Sequence, residues 1–212
     1  MKTRFVVFLL LLSSAQIVTA QTDESRIETL FGPGRNHSVG GYGAITNKFT
    51  TFNGQFANIV EVYGGWYINH RFFLGLAAAG MTNDIPVPSM FSANAEENLS
   101  YGYGQAGLMT EYVLHSAKRV HLAFQLFGGA GFTTQYLRHP DNFSSDYTHH
   151  SYDEDCFFVA EPGVTLEMNV FKWMRLSPGV SYRATFNSSG KGLSDDALSA
   201  MSYNLTLKFG KF

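Results

Sequence analysis

Cysteine is almost absent from this chain. Its 212 residues include one, Cys156, so no disulfide can form within the chain and a disulfide-stapled scaffold is excluded. Cys156 is expected to be a small, semi-buried residue at a strand edge. Charge is scarce as well: Asp, Glu, Lys and Arg make up 15% of the residues, against about 25% in ordinary globular chains. The formal net charge of −2 offers nothing to a phosphate backbone, so no nucleic acid is expected. After the amino-terminal segment no apolar run approaches the 18 or more residues of a membrane-spanning helix. Abundant instead are aromatics, 15% of the chain, and 21 glycines, a mixture that suits strands better than helices.

The opening "MKTRFVVFLLLLSSAQIVTA" has a basic start, an apolar stretch from Phe5 to Leu12 and small residues before Gln21. It predicts a secretory signal peptide over residues 1–20, cleaved after Ala20. Residues 21–36 are expected to form a short periplasmic segment, and 37–212 a single β domain.

A two-residue period runs through that domain. In "SYNLTLKFGKF" Tyr203, Leu205, Leu207 and Phe209 share one face; Ser202, Asn204, Thr206 and Lys208 share the other. The stretches 120–132, 157–170 and 173–186 alternate in the same way. Those near 37–49, 55–68, 71–82 and 98–114 follow more loosely. Eight strands result, most about 10–14 residues long, where soluble strands have about 5–6 and a tilted bilayer-crossing strand needs about 9–11. Connections alternate too. "NH" (69–70), "HSAKR" (115–119) and "FK" (171–172) are short; 83–97, 137–154 and 187–199 are long and polar.

Short turns on one side and long loops on the other predict an eight-stranded antiparallel up-and-down transmembrane β-barrel of porin-like fold, in the outer membrane of a Gram-negative cell. Hydrocarbon demands that every backbone group be paired internally, and a sheet achieves this by closing. The last strand is therefore expected to pair with the first. Its Tyr203, Leu205, Leu207, Phe209 and Phe212 are the candidate carboxy-terminal insertion signal. Phe209 has the lipid-facing parity and Phe212 the opposite one, unless a bulge at Gly210 restores it.

The opposite faces carry Lys48, Glu61, Arg71, Glu111, Glu161, Glu167, Arg175, Arg183 and Lys208. Charges of both signs at inward positions predict a polar lumen filled with ion-paired side chains, since eight strands leave room for side chains and little else. A hairpin centred on Phe171 sets Glu167 across from Arg175 and Glu161 diagonal to Arg183. Trp66, Tyr67, Tyr112 and Trp173 lie near short turns and are the candidate aromatic belt. Pro162 and Pro178 cannot donate to a ladder and are expected at bulges or bends that help curve the sheet.

The stretches "GGYGAITNKFTTFNGQ", "GGWYINHRFFLGLAAAG" and "EPGVTLEMNVFKWMRLSPGVSYR" together resemble small outer-membrane β-barrel proteins of the Bacteroidota type, over about residues 39–212. The resemblance implies an outer-membrane location and an eight-stranded barrel, and it implies no activity.

In the loop "RHPDNFSSDYTHHSYDEDC" His139, His149 and His150 are weak metal candidates, because two adjacent histidines lack the spacing of a helical zinc motif. Ser151 with His149 and Ser144 with His150 are the loop pairs that suggest a nucleophile and base. The function expected is non-enzymatic: a structural or surface-recognition barrel acting through its long loops, a role that needs no cofactor. The expected partners are membrane lipids and lipopolysaccharide, the outer-membrane insertion machinery and an unidentified extracellular ligand, with the barrel a monomer. The alternatives are a lipid-modifying barrel enzyme and a soluble periplasmic β-barrel binding an apolar ligand.

Overall fold

The computed structural model describes residues 39–94, 96–137 and 151–212. The expected signal peptide and the segment preceding the barrel lie outside these residues.

The strands are β1 (Val39–Phe52), β2 (Gln55–Ile68), β3 (Phe72–Met81), a two-residue β4 (Ile85–Pro86), β5 (Leu99–Val113), β6 (Val120–Leu137), β7 (Ser151–Phe171), β8 (Met174–Phe186) and β9 (Ala200–Lys211). One short helix, α1 (Asp195–Leu198), precedes β9. Every long strand pairs antiparallel with its neighbour in sequence. β3 pairs with β5 past the β4 stub, and β1 pairs with β9 from Gly41↔Lys211 to Phe49↔Tyr203. The eight long strands therefore form a closed ring, as the alternation predicts, and each has a paired neighbour on both sides.

Turn chemistry fixes the hairpins. Asn53 and Gly54 both have positive φ, 46° and 77°, as a two-residue primed turn requires, and Phe52 pairs with Gln55 across it. Asn69 and His70, at 55° and 53°, serve the same purpose between β2 and β3. With the β1–β2 turn as the exception, short turns gather at one end of the barrel and long connections at the other, here called the short-turn end and the long-loop end.

Three features differ from the sequence reading. First, β6 and β7 run to 18 and 21 residues, so strand occupies part of the expected 137–154 loop; pairs from Thr133↔Asp155 to Tyr136↔Ser151 extend this hairpin beyond the others. Second, the prolines do not sit at bulges. Pro162 keeps register with Leu126, and Pro178 with Leu205; the register shifts lie at Thr133/Gln135 and Asn169/Phe171. Each proline instead marks an interruption of the β7–β8 ladder. Pairing skips from Ala160↔Ala184 to Gly163↔Ser181, and from Thr165↔Gly179 to Met168↔Leu176. A residue without an N–H can stay in register while leaving a rung unmade. Third, the β7–β8 hairpin closes through Phe171↔Met174, so Asn169, not Glu167, faces Arg175.

The polarity of the barrel is reversed relative to a soluble core. Among the described residues thirty large apolar side chains are exposed, among them Leu76, Leu108, Phe158, Tyr203 and Leu205, while eight Lys, Arg and Glu side chains are buried. Water would select against both sets, since burial of charge and exposure of apolar surface each cost free energy. A bilayer favours both. Of the described helices none is long and apolar enough to cross a membrane.

Candidate functional site

The lumen is the most elaborately built part of the molecule. Strand alternation turns Lys48 from β1, Glu61 from β2, Gln105 from β5, Glu161 from β7 and Ser181 from β8 to one level. Lys48 Nζ lies 2.7 Å from Glu61 Oε2 and 2.9 Å from Glu161 Oε1. Ser181 Oγ donates to Glu161 Oε1 at 2.6 Å, and Gln105 Nε2 reaches both carboxylates at 3.4 and 3.3 Å.

A second level lies nearer the short-turn end. Lys208 Nζ sits 2.5 Å from both Glu111 Oε2 and Glu167 Oε1. Arg175 donates to Glu167 at 3.1 Å, and His121 Nε2 lies 2.9 Å from the same oxygen. Glu111 also accepts from Tyr42, from Tyr63 at 2.7 Å and from Gln125 at 2.6 Å. Each lysine is thus held between two carboxylates from different strands. A buried charge is tolerated when its remaining donors and acceptors are satisfied in this way.

Several site residues lie elsewhere than expected. Arg71 is exposed in the β2–β3 turn, outside the lumen, because the positive-φ turn ends one residue later than the expected strand start. Arg183 is buried but has no ion pair to Glu161. Its Nε donates to the Leu198 carbonyl at 2.8 Å, and its guanidinium lies 4.3 Å from the Phe52 ring centroid. Glu161 takes Lys48 and Ser181 in its place. Tyr67 points into the lumen at 1% exposure, whereas Trp66, Tyr112 and Trp173 are exposed on the outer wall at 66, 47 and 56%; strict alternation forbids Trp66 and Tyr67 from sharing a face. Tyr203, Leu205 and Phe209 face outward, and Leu207 is half-buried. Gly210 stays in register opposite Tyr42, so no bulge rescues the parity of Phe212. That ring turns inward, 3.9 Å from Arg175 Cζ and 5.2 Å from the Tyr42 ring, and caps the lumen. Phe209 stacks outside on Trp173 at 6.2 Å.

Lumen members that charge alone does not single out include His121, Tyr42, Tyr63, Gln105 and Gln125. Their inward parity is legible in the sequence; their partners are not.

The long-loop end is also shut. Leu193 and Leu198 are buried together with Phe52, Tyr103 and Phe157. Ser194 caps α1, and Thr185 Oγ1 donates to the Asp195 carbonyl at 2.9 Å. Asp155 organises the neighbouring connection: its carboxylate accepts from the backbone N–H groups of Ser189 and Gly190 at 2.8 and 3.0 Å and from the hydroxyls of Ser188 and Ser189 at 3.1 and 2.9 Å. Partial burial opposes its charge, but these hydrogen bonds, led by Ser189, outweigh that and hold its carboxyl below the usual carboxylate range. Tyr101 lines a neighbouring cavity of about 910 Å³ with Phe132, Tyr136 and Cys156; burial, then the nearby Asp153 charge, push its phenol up to about 12. Cys156 is exposed.

His139, His149, His150 and Ser144 fall outside the described residues, and the side chain of Ser151 is likewise not described. Among the described residues no cluster of three or more His, Cys, Asp or Glu could hold a metal ion.

No protein-family model matches the chain, and no curated protein matches it. Among solved structures, the Neisserial surface protein A is similar over 84% of this chain and 100% of its own, with a TM-score of 0.51 and 10% identity. A major outer membrane protein from Thermus thermophilus is similar over 80% of this chain and 98% of its own, with a TM-score of 0.50 and 10% identity. These likenesses show a shared fold, the eight-stranded barrel of the outer-membrane type.

Proposed function

We propose that the protein is a non-enzymatic integral outer-membrane barrel whose role is structural or recognitive, exercised through its long-loop end. The observation that carries this reading is the reversed polarity: an apolar outer wall around a lumen in which Lys48 and Lys208 are each clamped by two carboxylates. A channel needs an open path, and here Arg175 with Phe212 at one end and Leu193, Leu198 and Phe52 at the other fill it. The firmly tied 187–199 connection and the projecting β6–β7 hairpin supply a shaped surface for a ligand. Export through a cleaved signal peptide, a monomeric state and contact with lipopolysaccharide belong to the same reading. Kinship with the Bacteroidota-type small barrels does too, resting on the motifs quoted above.

Fractionation with heat-modifiability on a gel tests it. The mature protein is expected in the outer-membrane fraction, resistant to carbonate extraction, with a faster-migrating unheated band. Recovery in the soluble fraction without detergent refutes it and favours a soluble barrel.

A further inference from the structure

The short-turn end carries a second feature, independent of the loops. Arg119, from the β5–β6 connection, and Lys172, from the β7–β8 turn, are both exposed, and both line one cavity of about 830 Å³ together with Arg175 and Phe212. That volume is in the range of a small-molecule pocket. Arg175 is the informative member. Its side chain is 4% exposed, one nitrogen serves Glu167, and its Nε is buried with no hydrogen-bond partner. Its guanidinium also lies beside the buried Tyr67 hydroxyl, 5.6 Å from that ring's centroid, which holds it at the wall of the cavity.

Charge points the same way. Glu111 and Glu167 already balance Lys208 and Arg175, and neither Arg119 nor Lys172 forms an ion pair among the described residues. Arg119 and Lys172 therefore add positive charge to the cavity that no described acidic side chain offsets. Every exposed or half-buried Asp and Glu among the described residues lies at the opposite end of the barrel, from Asp84 to Asp196. The frame is pinned: Asn169 donates to the Ser116 and Lys118 carbonyls at 3.1 and 2.7 Å, and its N–H donates to the Arg119 carbonyl at 2.9 Å. The register shift at Asn169/Phe171 leaves Phe171 exposed on the outer wall at the same cavity, stacked on Trp173 at 5.4 Å.

We propose that this cavity is an anion site for a phosphate group, with Arg119 and Lys172 as donors and the Arg175 guanidinium adding positive charge at its wall. Guanidinium groups match phosphate oxygens in geometry as well as charge. Two sources share that chemistry: the headgroup of an anionic phospholipid whose chains lie along Phe171, and free phosphate.

The test uses the mature barrel with R119Q/K172Q, two exposed positions, and K191Q at the far end as control. Inorganic phosphate is titrated into detergent-solubilised protein by phosphorus NMR. In parallel, lipid retained from phosphatidylcholine nanodiscs with and without phosphatidylglycerol is counted by native mass spectrometry. Binding in either arm, weakened about fivefold in R119Q/K172Q as two partly screened contacts imply, unchanged in K191Q and restored in R119K/K172R, is the expected result. Binding in the phosphate arm identifies a free-anion site; binding in the lipid arm alone identifies a headgroup site. Heat-modifiability verifies that each variant is folded, and K172Q alone replaces the double variant if that one is not. Absence of binding in both arms, or binding indifferent to the substitutions, overturns the proposal. The phosphate arm needs no loop ligand, so its outcome is independent of the recognition reading.

Discussion

Replacing Lys208 by methionine tests the lumen directly. Lys208 is 0% exposed at its side chain and lies 2.5 Å from Glu111 and from Glu167. Methionine keeps the length of the side chain and removes its charge. Glu167 keeps Arg175 and His121, but Glu111 is left with only neutral donors, Tyr42, Tyr63 and Gln125. Removing one partner of a buried ion pair typically costs about 3–5 kcal/mol. The loss expected here is at the low end, about 3 kcal/mol, because those donors remain. K208M/E111Q removes the stranded charge and is expected to recover more than half of that. Reversible guanidinium unfolding in thin-bilayer vesicles measures both, read by tryptophan emission; Trp66 and Trp173 are exposed on the lipid side and shift to the red on leaving it. If K208M unfolds within about 0.5 kcal/mol of the parent, a value ordinary for surface ion pairs, the lumen is wet and screened, and the account of a dry, ion-clamped interior is wrong.

Three further outcomes are expected. Leu205→Arg, on the outer wall, lowers stability in the same assay by about 2–4 kcal/mol, the cost of a cation near the bilayer midplane; an unaffected variant removes that face from hydrocarbon. Asp155 has a folded pKa below its unfolded one, so its contribution to the order of 187–193 is present above the ordinary carboxylate range near pH ~4 and is lost as pH falls through the lowered value; protease nicking of this connection rises over that window in the parent, and D155N shows the rise already at neutral pH. Phe212→Ala uncovers Arg175 and admits an aqueous quencher to the short-turn mouth, whereas Phe209→Ala leaves the mouth closed and slows membrane insertion; the reverse assignment refutes the placement of the two rings.

The strand pattern is legible because alternation is local. Each of Leu205, Leu207 and Phe209 against Asn204, Thr206 and Lys208 is decided by its neighbours two residues away, and the face follows. What a sequence cannot display is who meets whom across the lumen. Lys48 and Glu161 are 113 residues apart, and Lys208 and Glu111 97 apart; such pairs depend on the tilt and stagger of the whole ring. Local pairing logic assigns Glu161 to Arg183 for that reason, though the longer arginine reaches the Leu198 carbonyl. Tyr67 and Arg71 depart from expectation over one residue of phase, at a hairpin whose Asn69 and His70 adopt positive φ without glycine. The cavity of Arg119, Lys172 and Arg175 joins two turns and a strand, so spacing gives no sign of it.

The unmade rungs beside Pro162 and Pro178 give the cylinder an elastic direction. A wall stitched evenly around its circumference resists lateral squeezing equally on all sides; one with two dropped stitches along a single join yields there first. Backbone amides bordering β7 and β8 therefore exchange with solvent deuterium sooner than those along β1 and β9, so the join made when the ends of the barrel meet is not the one that breathes.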